Sequence, residues 1–167
     1  MIYPYLTAVL PTLTPGHAPG MTPEEFDELA RENMSETEFA RLSAGELPGQ
    51  TAMRRFTDYL AFRSARIRAE RLNLSCTFPE PEEFAGEVDF ALSSLAAAPP
   101  AEREALTDAL LWRKLDDLET GHEMDLEHLG VYRMRLEILR KYTGRDETRA
   151  RENFERALEK LSADYLA

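Results

Sequence analysis

The sequence predicts an all-α single domain of about six to eight helices behind an irregular or extended N-terminal segment. Three observations predict it. Helix-opening caps recur along the chain, prolines and glycines cut it into helix-length pieces, and apolar residues step by three and four within the pieces. Strand signals are confined to residues 3–10, an aromatic and β-branched stretch with no second stretch to pair with.

Residues 1–13 (MIYPYLTAVLPTL) carry no basic leader and are interrupted by Pro4 and Pro11. They read as neither signal peptide nor membrane span, and we expect them to be extended or irregular. The TPGHAPG run at 14–20 is a loop, since two prolines and two glycines in seven residues cannot continue regular structure. Thr22, Pro23 and Glu25 then stand as N-cap, first helical residue and reciprocal cap of a helix reaching Asn33. Ser35 and Glu38 repeat the box, and Gly45 can stop that short helix.

The longest predicted helix spans 50–73, with Met53, Phe56, Leu60, Ile67 and Leu74 on one face. Pro79 and Pro81 break the chain and mark a soft division at 77–81 inside one domain spanning 1–167. Residues 82–97 form the next helix, turning Phe84, Val88, Leu92 and Leu95 inward until Pro99 and Pro100. Residues 101–120 follow, with an apolar face of Leu106, Leu110, Leu111, Leu115 and Leu118 and a stop at Gly121. Asp125 caps a further helix running to Gly144, where Arg140 and Lys141 suit the negative end of the helix dipole. Asp146 opens the last, in which Phe154, Leu158, Leu161 and Tyr165 step by four, three and four.

A chain of 167 residues with 43% hydrophobic residues is large enough for one core without disulfide or metal staples. Its net charge of -11, from 31 acidic against 20 basic side chains, repels phosphate backbones and argues against nucleic acid as a partner. No apolar run approaches the roughly 18 residues of a membrane span, so no integral membrane segment is expected. The single cysteine, Cys76, allows no intramolecular disulfide and suits a reducing, cytoplasmic compartment. No base can be placed beside it, so it reads as inert.

Candidate chemistry is sparse. His122 and His128 lie in GHEMDLEH, six residues apart across a glycine turn. A metal-binding helix needs two histidines four apart on one face, so neither a metal nor a cofactor is expected, and His17 lies alone in its loop. The glycines build no phosphate-cradling loop. Among 31 acids some pairs must fall close by chance, so an enzyme with an unrecognised carboxylate site stays only as the weakest alternative.

The one local anomaly is in the 50–73 helix, where Arg54, Arg55, Arg63, Arg66, Arg68 and Arg71 are opposed only by Asp58 and Glu70. At about 100° per residue, Arg55, Tyr59, Phe62 and Arg66 share a sector outside the apolar stripe, a basic and aromatic combination enriched at protein interfaces. The plainer alternative is that these arginines balance acidic neighbours within the fold. Arg63 and Arg71 flank Ile67 at four residues either side, and Lys114 and Asp117 fall in the apolar sector of 101–120. Buried charges need partners, so a structural ion pair of Asp117 with Arg63 or Arg71 is expected.

Residues 110–132 (LLWRKLDDLETGHEMDLEHLGVY), the opening IYPYLTAVLP and the helix FRSARIRAERLNL beginning at Phe62 resemble a bacterial family of unknown function encoded among V-type ATP synthase genes. The arginine helix is also similar to helices of the funnel-shaped, all-helical adaptor that joins the rotor stalk of V-type ATPases to the membrane ring. Phe62 stands there at a leucine position, Arg63 at the first arginine, and Ser64 where an asparagine is expected. The chain is too short to replace the whole adaptor. What the resemblance implies is a protein partner within the V-type ATPase assembly, and a cytoplasmic site peripheral to the membrane through that complex. A stand-alone helical interaction module unrelated to the ATPase is the alternative reading.

Overall fold

Local caps and prolines set the element borders in the computed structural model, which describes residues 2–75 and 84–143. Among these residues lie seven α-helices and a 3₁₀ turn: α1 (Pro4–Val9), α2 (Pro23–Asn33), α3 (Glu36–Ala44), α4 (Pro48–Arg71), α5 (Ala85–Ala97), α6 (Pro100–Glu119), α7 (Leu126–Leu139) and the turn Arg140–Tyr142. The fold is the all-α single-domain bundle that the helix signals predict. Cys76, the soft division at 77–81, the stop at Gly144 and the stripe of Phe154, Leu158, Leu161 and Tyr165 lie outside the described residues. No described helix is long and apolar enough to cross a membrane.

The caps work as their residue types dictate. Thr22 Oγ1 accepts from the Glu25 amide at 3.1 Å while Glu25 Oε2 accepts from the Thr22 amide at 2.8 Å, closing a reciprocal box. Gly45, at φ +71°, ends α3 in a Schellman turn in which its own amide donates to Leu42 and that of Glu46 to Arg41. Gln50, buried at the start of α4, donates from Nε2 to the Leu42 carbonyl at 2.9 Å and so satisfies the same helix end from across the gap. Glu127 of α7 accepts from the Gly49 amide at 2.9 Å, placing a carboxylate on the positive end of α4.

The N-terminal segment departs from expectation. It is helical over Pro4–Val9, because a proline at the first helical position costs no hydrogen bond and brings a helix-ready φ, and Leu6 gains full burial from the turn. Ahead of it, Ile2 forms an isolated antiparallel bridge with Asp125, and the Tyr3 amide donates to the Met124 carbonyl at 2.6 Å.

Two apolar clusters lie on either side of α7. One joins Tyr3, Leu6, Phe26, Ala30, Leu42 and Leu47 to Leu129, Tyr132 and Leu136 of α7. The other joins Met53, Phe56, Tyr59 and Leu60 of α4, Val88 of α5 and Leu115 of α6 to Val131 of α7. A helix buried on both sides needs apolar residues all round, which is why LEHLGVYRMRLEIL shows no single stripe. Gly130 permits the closest approach there: a Cβ on it would sit 2.8 Å from Leu47 Cδ1.

Two faces differ from the sequence reading. On α6, Leu115 is fully buried and Asp108 nearly so, while Leu106 is exposed. The helix is therefore turned so that the 108, 111, 115 row meets the core, and Asp117, two residues or about 200° from Leu115, faces water. On α4, Tyr59 is buried because α5, α6 and α7 all pack on the helix and cover a wider arc than one stripe, and Leu74 is exposed because the helix ends at Arg71 and the chain turns at Asn73, φ +54°.

Candidate protein interface

The proposed α4 sector divides on inspection. Tyr59 belongs to the core and stacks on Phe62, ring centroids 6.1 Å apart at 19°, so its ring is withdrawn from any partner. Phe62 is half-buried against the same cluster. Arg55 remains exposed and Arg66 half-exposed, with Arg66 Nε 3.0 Å from Glu70 Oε1 one turn on. Further along, Arg68, Arg71, Leu72 and Leu74 are all exposed, while Ala69 between them is buried. The surface the sector offers is thus two arginines about three turns apart; Arg68 and Arg71 lie about 200° and 140° round the helix from Arg66, on its other side.

The expected ion pair is also redrawn. Arg63 binds Asp89 of α5, Nε and Nη2 donating to Oδ1 at 2.9 and 2.7 Å, and that hydrogen bond raises the guanidinium above its ordinary pKa. Arg71 is exposed, and Asp117 points away from α4. The cause is geometric: α5 lies beside the Arg63 face, and α6 turns its Lys114 there instead. Lys114 Nζ reaches Glu87 at 3.0 Å and lies about 5 Å above the rings of Phe56 and Phe84.

At the α6–α7 turn the two histidines answer to different carboxylates. His122 Nδ1 is 2.6 Å from Asp125 Oδ2, and this hydrogen bond raises the imidazole above its usual pKa. Burial works to raise the Asp125 carboxyl, but the bonds from His122 and from the His128 amide hold it below its usual range. His128 Nδ1 lies 2.7 Å from Glu119 Oε1 at an angle too poor for a hydrogen bond. Glu119 is bound in turn by Arg135, whose guanidinium also reaches Asp116 and lies 5.2 Å over Trp112. Each polar group here ties α6 to α7 or caps α7, and among the described residues no three His, Cys, Asp or Glu side chains converge as metal ligands. His17 stays in its loop, Nδ1 3.0 Å from the Pro15 carbonyl oxygen.

Sequence reasoning missed a groove between α5 and α6. Phe90 is 75% exposed on α5 and Leu106 41% exposed on α6, and both line it. One visible sign pointed there: residues 85–97 are apolar well beyond the Val88 and Leu92 face, and Phe90 falls off that face. Sequence reasoning also missed the buried acid Asp108, which binds Lys141 and Tyr142 and whose partners lie 33 and 34 residues away along the chain.

No protein-family model matches the chain, and no curated protein or solved structure is significantly similar to it.

Proposed function

We propose that this chain is a non-catalytic protein-docking component, with the exposed arginines of α4 as its contact surface. One observation carries the reading: on a protein of net charge -11, Arg55, Arg66, Arg68 and Arg71 reach the surface of a single helix that ends in two exposed leucines. An acidic protein surface with an apolar rim complements it, since charge of opposite sign steers encounter and apolar contact holds the complex. The resemblance of residues 110–132 and of the arginine helix to the family encoded with V-type ATP synthase genes supports a V-type rotary ATPase as the partner assembly. A cytoplasmic place, peripheral to the membrane through that complex, goes with this proposal.

The test is affinity capture from cells containing such an ATPase, using the wild-type chain and an Arg55→Glu/Arg66→Glu variant. The wild type should retain ATPase subunits, more weakly as salt rises, and the reversed variant should lose them with its helicity unchanged. Capture of other proteins without ATPase subunits would leave a docking module and remove the ATPase. Undiminished capture by the reversed variant would remove the α4 surface.

A further inference from the structure

α5 and α6 pack as an antiparallel hairpin, joined through Ala98 and Pro99, and Lys114 Nζ donating to Glu87 Oε2 at 3.0 Å fixes the register at its far end. From that register Phe90, one turn further along α5, stands level with Ala109 and Leu110, one turn back along α6. Each helix turns a row outward, and the two rows line an open groove of about 310 Å³. Phe90 is 75% exposed in its middle and Leu106 41% exposed, and Ala109 is exposed beside them. An apolar row of this kind in water is the mark of a face that something covers.

Charge narrows what can cover it. The groove is lined by one acid and one base, Glu87 and Arg113, which stand side by side at the far end. Glu87 keeps 42% of its side chain exposed beyond its bond to Lys114, and Arg113 is exposed with no ion pair among the described residues. On a chain of net charge -11, two copies repel each other over most orientations, but the charges on this face sum to zero. The face also complements itself. Half a turn about the groove axis lays α5 of each copy over α6 of the other, so that every contact occurs twice. Phe90 then meets Leu106, Ala109 and Leu110 of the other copy, where the alanine leaves room for a ring, and Glu87 meets Arg113 across the interface.

We propose that the α5–α6 groove is a homodimer interface, in which two hairpins form a four-helix contact anchored by Phe90 and closed at one end by the reciprocal Glu87 and Arg113 pairs. Two helices of about 20 Å length and about 10 Å width give roughly 400 Å² per copy, about half of a standard interface, so the dimer is weak and governed by concentration. It leaves the exposed arginines of α4 free, and the two surfaces stand or fall separately.

Analytical ultracentrifugation of the full chain from ~5 to ~500 μM tests this. The wild type should pass from monomer to dimer mass across the range. Phe90→Glu, at an exposed position outside the core, should raise the dissociation constant on the order of tenfold or more with helicity unchanged. Arg113→Glu and Glu87→Arg should each weaken self-association, yet an equimolar mixture of the two should form a heterodimer, because both contacts across the interface then join opposite signs. A wild type that stays monomeric at the highest concentration, its groove left to a different protein or to none, overturns the proposal. So does a dimer that Phe90→Glu leaves intact, or a mixture that associates no better than its separate components.

Discussion

Removing Asp27 tests how far the described bundle depends on one long-range ion pair. Arg133 of α7 donates from Nε and Nη2 to the two oxygens of Asp27 on α2, at 2.8 and 2.9 Å, across 106 residues of chain. Both side chains are about one-fifth exposed, at 22% and 23%, and the hydrogen bonds that Arg133 donates to Asp27 hold the guanidinium above its ordinary pKa. At 2.8 Å the gross attraction is about 6 kcal/mol at an effective dielectric of ~20 and about 1.5 kcal/mol in water. Desolvation and side-chain ordering offset most of it, and the half-buried setting lies between exposed pairs, worth less than ~1 kcal/mol, and buried pairs, whose disruption costs ~3–5. Asp27→Ala should therefore cost about 2 kcal/mol, or about 4–8 °C in Tm for a chain of this size. Glu24→Ala is the control, since its contact with Arg140 is 58% and 62% exposed and should be worth less than ~0.5 kcal/mol. Urea denaturation at low salt measures both. Equal midpoints for the two variants, or a double-mutant cycle with Arg133→Ala giving no coupling, would refute the reasoning.

The phase of α6 makes a second prediction: Asp108→Ala should destabilise by about 2 kcal/mol, stranding Lys141 and Tyr142, while Asp117→Ala should change stability by less than ~0.5. The reverse order in denaturant would mean that α6 presents its other face. The third concerns pH. Because the folded pKa of His122 is raised, its contribution is complete below the unfolded value near ~6.5 and is lost as pH rises through the folded value. Because that of Asp125 is lowered, its contribution is present above ~3.9 and is lost as pH falls through the folded value. The Tm difference between wild type and His122→Ala should thus be widest between about pH 4 and 6.5 and shrink toward pH 9; a gap that does not change with pH contradicts the pairing.

What the sequence shows well is what is settled within four residues. Thr22 with Glu25, Ser35 with Glu38, Gly45 and the Asp125 cap are local hydrogen-bonding devices, and each stands where its residue types place it. Rotation about a helix axis is settled elsewhere. Leu106 looks like core by count, yet the neighbours of α6 select the row through Asp108 and Leu115, and an acid in that row is intelligible only with Lys141 and Tyr142 beside it. The arginine cluster was visible as composition, but pairing Arg63 with Asp89 needed the phases of two helices at once. The α7 sequence concealed its place because a helix buried on both sides has no preferred face to display.

The contacts made by the N-terminal stretch also govern when the domain can form. Tyr3 meets Met124, and Tyr132 Oη donates to the Pro11 carbonyl at 2.8 Å, 121 residues away. At ribosomal speeds of about 5–20 residues per second, Phe26 and Leu42 emerge on the order of ten seconds before the α7 residues that cover them. During that interval α1–α3 carry an apolar surface with nothing to bury it, and closing so long a loop slows the search once α7 arrives. The last described helix is thus the keystone of assembly during translation, and a stalled or truncated nascent chain lacking it would be a substrate for chaperones rather than a partly folded domain.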